Sequence, residues 1–522
     1  MLRDRVRELV QQAIAELQKD GLLPGGEVPQ CSVAAPENPA HGDYATNAAF
    51  VIPKLAARPP MELAELIASR LKSDGTGFVA DARAAAPGFI NIVLAGPLLT
   101  DSLGVALREP EQWWRSDIGK GKTIRVEYFQ LNIAKRPHIG HLRSAVIGDA
   151  IKRMLLAQGY HAVSDTHVGD WGTQFGILLL GYKEAGKPDI SGDPFDALEA
   201  IYQEENARVG ADPARRERAK EEFAKLERGD AENRAIWQGM VEISMQTLER
   251  TRSRLGLLPF DMHRGESFYE PMMPEITALA LEKSVAKRTP DGAVVVDLSP
   301  DGLDEAVLIK SDGASTYLLR DLATLRYMKS TLDFFVNLYV VDVRQSHHFK
   351  QVFRVAELLG FEGVGESRHI EFGFMTLPEG ALSTRKGTAI SLDAVLDEAR
   401  DRARKVIAEK NADLPDPDVI AGHVGVGALK YFDLSHHRKS DVVFRWDEAL
   451  AFEGSTGPYL QYTHARLKSI LRKVEADQRG TVRRSTQIPE ASLDEVEHRL
   501  AAAILRFPDA IEDALKDYTP NT

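Results

Sequence analysis

The chain has 522 residues, 43% of them hydrophobic and 27% charged, with a formal net charge of −12. That balance is the one expected of a soluble globular protein of roughly three or four domains at about 150 residues each, and no run approaches the roughly 18 apolar residues of a membrane span. The single cysteine, Cys31, excludes an intrachain disulfide and a cysteine-based zinc site; it fits a cytoplasmic setting, while the acidic total argues against indiscriminate nucleic-acid binding and leaves local patches to decide such contacts.

The N-terminus places Val6, Leu9, Val10, Ile14 and Leu17 on one helical stripe, with intervening charges that rule out a signal-peptide core. A Pro, Gly and Ala-rich stretch around Pro24 to Pro39 follows, then a small α/β unit in which PPMELAELIASRLKS reads as helix and GFINIVLA as strand. Residues near 108 to 122 form a polar linker. Its end, Gly121-Lys122-Thr123, mimics the tail of a phosphate-binding loop, but Ser116 stands where the first glycine belongs and the segment precedes a strand, so that motif is discarded.

Thr123 to Phe129 reads as a strand, Pro137 suits the first turn of a helix, and Leu142, Ala145, Val146, Ala150, Met154 and Leu155 recur with helical spacing up to Gly159. A second apolar run from Tyr160 to Val163 completes a βαβ unit, which places the helix start at the carboxyl edge of a parallel sheet, where ligands bind. Free N–H groups and the helix dipole favour an anion there. His138 and His141 lie three apart and so share a face, and Gly140 between them leaves room for a flat base. Two histidines, a glycine and a helix start suit ATP, although a lone H-x-x-H also serves simply to cap a helix.

From Pro188 to about Ser253 the chain is charged and helical, and solvated helices account for it without any chemistry. Alternating runs return at AVVVDL and AVLIKS, followed by a helix from Leu318, the apolar strand FVNLYVV and a helix from Phe349 to Leu359, an order that predicts the second half of one parallel sheet. Past Pro417 the pattern is helical throughout. Between Gln461 and Ser485, seven Lys or Arg stand against Glu475 and Asp477; the patch reads equally as a phosphate-backbone contact or as a solvated helix face. No repeat or low-complexity tract is present.

Leu131 to Gln174 resembles the signature of class I aminoacyl-tRNA synthetases, and its flanks, Asn132-Ile-Ala-Lys and Gly169-Asp-Trp-Gly-Thr-Gln174, resemble arginyl-tRNA synthetases in particular. The resemblance implies an α/β fold: a Rossmann-like parallel-sheet catalytic domain at 108–416, with a helical insertion at about 188–253 and a lysine loop at 381–390. A small α/β tRNA-contacting domain at 1–107 and an all-helical anticodon-binding domain at 417–522 flank it. The last is expected to be incomplete, since the chain stops at TPNT about where the family continues into further helices; on that comparison it should bind ATP and arginine but charge tRNA poorly, because the family needs bound tRNA to activate arginine.

The implied activity is arginine–tRNA ligation, with L-arginine, ATP and tRNA(Arg) as partners, Mg²⁺ arriving with ATP, no structural metal, no membrane, and a monomer in the cytoplasm. A guanidinium calls for carboxylates and an aromatic face. By resemblance, Glu127 and Asp321 hold it beside Tyr317, four residues before Asp321 on one helix face, while Asn132 and Gln345 bind the amino and carboxylate end. Singly each residue has a plain alternative: Asp321 can pair with Arg320 or Arg326, and Tyr317 can be core.

His138, Gly140 and His141 are expected at ATP, and Ser383, Arg385 and Lys386 in ALSTRKGTAI resemble the mobile lysine loop, with Lys386 or Arg385 available to the phosphates. That loop departs from the class pattern Lys-Met-Ser-Lys-Ser, since Ala381 and Thr384 stand where its lysines belong, so Lys135 is the expected replacement. His347-His348 and His436-His437 are adjacent pairs that point apart and make poor joint metal ligands; His167 and Asp170 are expected to shape the ATP pocket or pack under it. Rival readings are another adenylylating enzyme with the same histidine signature and a non-catalytic RNA-binding paralogue.

Overall fold

The computed structural model describes residues 2–52, 58–73, 75–189, 194–376, 390–410, 414–477 and 493–522. It opens with α1 (Leu2–Lys19), whose stripe Val6, Leu9, Val10, Ile14 and Leu17 is buried throughout. β1 (Val33–Ala34), β2 (Tyr44–Thr46), α2 (Ala48–Val51), α3 (Pro60–Lys72), β3 (Val79–Ala85), β4 (Phe89–Leu94) and α4 (Gly96–Arg108) follow. The strands pair antiparallel in the order β1-β2-β4-β3. Alternate residues of β4, Ile90, Ile92 and Leu94, point into one core with α1 and α3, the period-2 burial of a sheet covered on one face.

A second unit, Asp117–Arg472 with Tyr518–Asn521, begins at β5 (Thr123–Glu127), passes through α5 (Gly140–Ala157) and returns in β6 (His161–Asp165), parallel to β5. Gly159 lies past the helix end at φ +77°, a left-handed conformation that glycine takes without strain. After α6 (Thr173–Glu184), the charged segment forms α7 (Phe195–Ala211), α8 (Pro213–Glu227) and α9 (Ala231–Arg254). Then come α10 (Glu266–Tyr269), α11 (Met273–Glu282), β7 (Lys287–Arg288), β8 (Val294–Val296), β9 (Ala306–Ile309), α12 (Tyr317–Leu332), β10 (Val336–Tyr339), α13 (Ser346–Leu359) and β11 (Ser367–His369).

The parallel sheet has the order β11-β10-β5-β6. AVVVDL and AVLIKS do not join it: as β8 and β9 they pair antiparallel, with β7, in a sheet of their own. The connection between β8 and β9 explains the difference, for a parallel return needs a crossover of about a dozen residues or more and the chain from Asp297 to Glu305 holds only one short 3₁₀ turn.

The second unit is completed by β12 (Met375–Thr376), α14 (Leu392–Lys410), α15 (Pro417–Leu434), β13 (Val442–Val443), α16 (Trp446–Ala449) and most of α17 (Gly457–Asp477). β12 and β13 pair in parallel, a small break in a region otherwise helical as expected. α18 (Glu495–Leu505) and α19 (Phe507–Lys516) group with the first unit. Ala501, Ala502 and Leu505 enter its core, and Arg3, 2% exposed, meets Glu512 at 2.5 Å and Asp513 at 2.6 Å.

Candidate active site

Backbone register sets the floor of the site. His369, Tyr339, Glu127 and Asp165 form one row across the carboxyl ends of β11, β10, β5 and β6. β6 lies on one side of β5 and β10 on the other, so the strand order reverses here, which is where open α/β sheets bind ligands. Two residues before Glu127, and hence on the same face, Arg125 is fully buried. Its guanidinium donates to Asn337 Oδ1 at 3.1 Å, to Asp165 at 2.7 Å and to Glu127. Burial alone would lower the pKa of Arg125, but Glu127 and Asp165 outweigh it and hold the group well above its ordinary value.

His167, in the loop after β6, is buried with φ +38°. Burial disfavours its charge, yet Glu127, Asp321, Asp165 and Glu266 together raise its pKa. Glu127 and Asp321, nearly 200 residues apart in the chain, thus act on the same imidazole. Glu127, Asp165 and His167 also offer atoms within 4.8 Å of one another, as a metal site would, but Arg125 already supplies the cation between the two acids.

Asp321 pairs with neither arginine suggested by its neighbourhood in sequence. Arg320 bonds Glu266 at 2.8 Å and Arg326 bonds Glu275 at 2.7 Å, whereas Asp321 Oδ2 lies 2.5 Å from His348 Nε2. Tyr317, the first residue of α12, is 59% exposed and not core, with the Arg320 guanidinium 5.1 Å from its ring centroid. Gln345 stands exposed as the N-cap of α13.

The two signature histidines come together, though not as the sequence suggests. α5 starts at Gly140, so His138 precedes the helix and only His141 is inside it. Their rings nevertheless lie 3.9 Å apart, brought together by the turn. His138 Nδ1 accepts the Gly140 N–H at 3.1 Å, which leaves Nε2 as the protonated donor; His141 Nδ1 lies 3.1 Å from the His138 N–H and 3.3 Å from its carbonyl, the closer contact favouring the same tautomer. A Cβ on Gly140 would lie 2.8 Å from the His138 ring, so the glycine makes room for the imidazole itself.

Burial lowers the pKa of His138, helped by Arg344 and Lys135. Burial, followed by the charge of His138, takes His141 down to about 3. Both rings are therefore neutral near pH 7 and act as N–H donors rather than as cations.

Beside them opens a cavity of about 810 Å³, lined by Asn132, Lys135, His138, His141 and Gln174 and, from α7, by Asp196, Glu199, Tyr202 and Gln203. Its volume falls within the range of sites that enclose a small organic ligand. Lys135 Nζ sits 5.4 Å from the Tyr202 ring centroid. The insertion, assigned no chemistry from sequence, thus forms one wall. Nothing in its charged helical pattern separates Tyr202 and Gln203 from a solvated face; only the fold turns them inward.

Ser383, Arg385 and Lys386 lie outside the described residues. Where the chain resumes, Ile139 N–H donates to Ile390 O at 3.2 Å and Leu392 N–H to Pro137 O at 2.8 Å, and Ser391 reaches the cavity wall.

Asn132 and Gly169 form an isolated parallel bridge, and a Cβ on Gly169 would fall 2.5 Å from Asn132 Oδ1. Gly169→Ala should therefore swing the Asn132 amide away while leaving the fold intact, and, with Asn132 expected at a substrate, raise the KM for that substrate about tenfold, the cost of one charge-assisted hydrogen bond. Steady-state kinetics beside a thermal melt would test this; an unchanged KM for both small substrates refutes it.

Known proteins resemble this chain along nearly its whole length. Residues 104–446 match the family described as tRNA synthetases class I (R), catalytic domain, residues 4–94 the arginyl tRNA synthetase N terminal domain, and residues 460–522 the DALR anticodon binding domain. The arginine–tRNA ligase of Fusobacterium nucleatum is 35% identical over 96% of this chain and 87% of its own length. That of Streptococcus thermophilus is 40% identical over 84% and 77%. Among solved structures, Thermus thermophilus arginyl-tRNA synthetase superposes with a TM-score of 0.79 at 27% identity, covering all of this chain and 89% of that one. The Plasmodium falciparum enzyme gives 0.79 at 26% identity, covering 98% and 88%. With the strand order, the histidine turn and the acid-lined crevice already in place, these likenesses establish that the chain belongs to the arginyl-tRNA synthetase family.

Proposed function

We propose that arginine and ATP meet at the carboxyl edge of β5, the guanidinium between Glu127 and Asp321 and the nucleotide in the cavity beside the paired histidines. The activity is arginine–tRNA ligation. The carboxylate of arginine attacks the α-phosphorus of ATP, pyrophosphate leaves, and a hydroxyl of the 3′-terminal ribose of tRNA(Arg) then takes the arginyl group as AMP departs. The observation that carries the site assignment is the convergence of Glu127 and Asp321 on one buried imidazole, that of His167, which also lies within 4.8 Å of Glu127 and Asp165.

The attacking carboxylate is already a nucleophile, so the protein's contribution is positioning and charge stabilisation. The Nε2–H groups of His138 and His141 donate to phosphate oxygens, and Lys135 swings from the Tyr202 ring to the departing pyrophosphate. Arg344, whose charge already reaches His138, adds to the positive field there. Tyr317 stacks on the guanidinium; Asn132 and Gln345 hold the amino and carboxylate end. Gly140, Ser383, Arg385 and Lys386 complete the nucleotide site. Mg²⁺ would come with ATP on phosphate oxygens and water, and Glu199 and Asp196, the latter paired with Arg136 at 2.8 Å, would be the cavity-wall carboxylates available to it. The first unit, with α18 and α19, contacts tRNA, and the enzyme acts as a cytoplasmic monomer.

Pyrophosphate exchange with each of the twenty amino acids, with and without tRNA(Arg), tests the reading. Arginine alone should support exchange. Lys135→Ala should lower kcat about tenfold or more while leaving the KM for arginine unchanged, as loss of a group that acts on the leaving pyrophosphate requires. Exchange with another amino acid would overturn the pocket assignment, and a normal kcat in Lys135→Ala would overturn the role of the lysine.

A further inference from the structure

The sequence offers His348 only as half of an adjacent pair. In the structure His347 turns to Asp304 at 3.5 Å, while His348 places Nε2 2.5 Å from Oδ2 of Asp321. The bond joins the starts of two helices, α12 and α13, which also carry Tyr317, the first residue of α12, and Gln345, the N-cap of α13, both assigned to arginine above. His348 is 23% exposed, and its ring lies edge-on to that of its chain neighbour Phe349, 5.5 Å between centroids. Asp321 would otherwise choose among side-chain rotamers; a donor on one oxygen selects an orientation and leaves the other oxygen to accept.

We propose that His348 is a positioning residue for arginine, whose neutral imidazole donates Nε2–H to Asp321 and so aims that carboxylate at the guanidinium. The inference rests on the assignment of Asp321 to the arginine pocket. Its physical content is preorganisation: an acceptor fixed before binding does not spend binding free energy on being ordered.

The charges around the pair give the idea a second signature. Asp321 is the group that acts on His348; on the same helix His347 faces Asp304 and Lys350 is exposed. The charge of Asp321 also acts on His167, as do those of Glu127, Asp165 and Glu266. Burial disfavours an imidazolium at position 348, as does the positive end of the α13 dipole, but Asp321 outweighs both and raises the pKa. An incoming guanidinium is a competing cation on the same carboxylate, so arginine and the His348 proton oppose each other. The KM for arginine should therefore rise as pH falls through the raised pKa.

The test is arginine-dependent pyrophosphate exchange by the full chain with tRNA(Arg), from about pH 6 to 8.5, where imidazoles titrate. His348→Ala should raise the KM for arginine about tenfold or more with the KM for ATP unchanged, which also shows that the site is folded. His348→Gln, whose amide N–H takes the place of Nε2–H without titrating, should restore the KM near neutral pH and remove its rise on the acid side. Wild-type KM for arginine in His348→Ala, or an acid-side rise retained in His348→Gln, overturns the proposal. Asp321→Asn separates this from the pocket assignment: an unchanged KM for arginine there defeats the assignment, whereas a raised KM there with a normal His348→Ala defeats only the role of His348. If His348→Ala fails to bind ATP, the His348→Gln profile decides.

Discussion

Asp321→Ala is expected to raise the KM for arginine by about two to three orders of magnitude, the loss incurred when one partner of a buried, hydrogen-bonded charge pair is removed. The incoming guanidinium would keep Glu127 and the ring of Tyr317 but lose its second carboxylate, and His348 would lose its acceptor with it. kcat should fall less, because the guanidinium is remote from the phosphorus under attack and is bound alike in ground and transition states. The KM for ATP should hold, since Asp321 is not in the wall of the nucleotide cavity. Pyrophosphate exchange with arginine and ATP varied separately measures all three quantities. A KM for arginine within about twofold of wild type, inside the spread expected of a peripheral contact, would remove Asp321 from the pocket.

Arg143→Ala should be the most damaging single change to the catalytic unit. Arg143 lies two residues past His141 on α5, 1% exposed. Its guanidinium donates to Asp433 at 2.7 Å, to Gly373 O at 2.7 Å and to Ser440 O at 2.9 Å. Truncation strands a buried carboxylate on α15 and two carbonyls, a loss of about 3–5 kcal/mol. In a chain of two units, such a loss is read as an earlier unfolding transition of the catalytic unit in urea rather than as one global free energy. Activity should fall below what the folded fraction accounts for, because the same guanidinium anchors the first turn of α5, which His138 precedes and His141 joins. Arg143→Lys should rescue only in part, since one ammonium cannot reproduce the planar fork. Unfolding at the wild-type urea concentration with full activity would refute the anchor.

How much of this was legible in the sequence depends on how local each signal is. The βαβ unit was readable because strand composition, Pro137, the apolar spacing of α5 and Gly159 all fall within one stretch of chain, and the candidates His138 and His141 came with it, whereas Glu127 and Asn132 came from the family resemblance. The antiparallel sheet was misread because Val294–Val296 is buried at every position, a pattern that a strand of a parallel sheet shows equally; the length of the connection to β9 held the answer. His348 was passed over because its partner is 27 positions away on another helix, and adjacency to His347 says nothing about what either ring meets. The α7 wall was hidden for a related reason: Asp196, Glu199 and Gln203 are the residues a solvated helix would carry.

Arg125 has a consequence for selectivity. The protein keeps a guanidinium of its own bonded to Glu127, the carboxylate proposed to hold the substrate's. A lining of bare carboxylates would attract any cation, lysine included. On the assignment proposed above, the resident arginine partly neutralises Glu127 and Asp165, so that a simple ammonium would be held weakly there and a planar, forked donor would use the remaining acceptors better. Each folded copy thus carries an internal template of the group it must recognise.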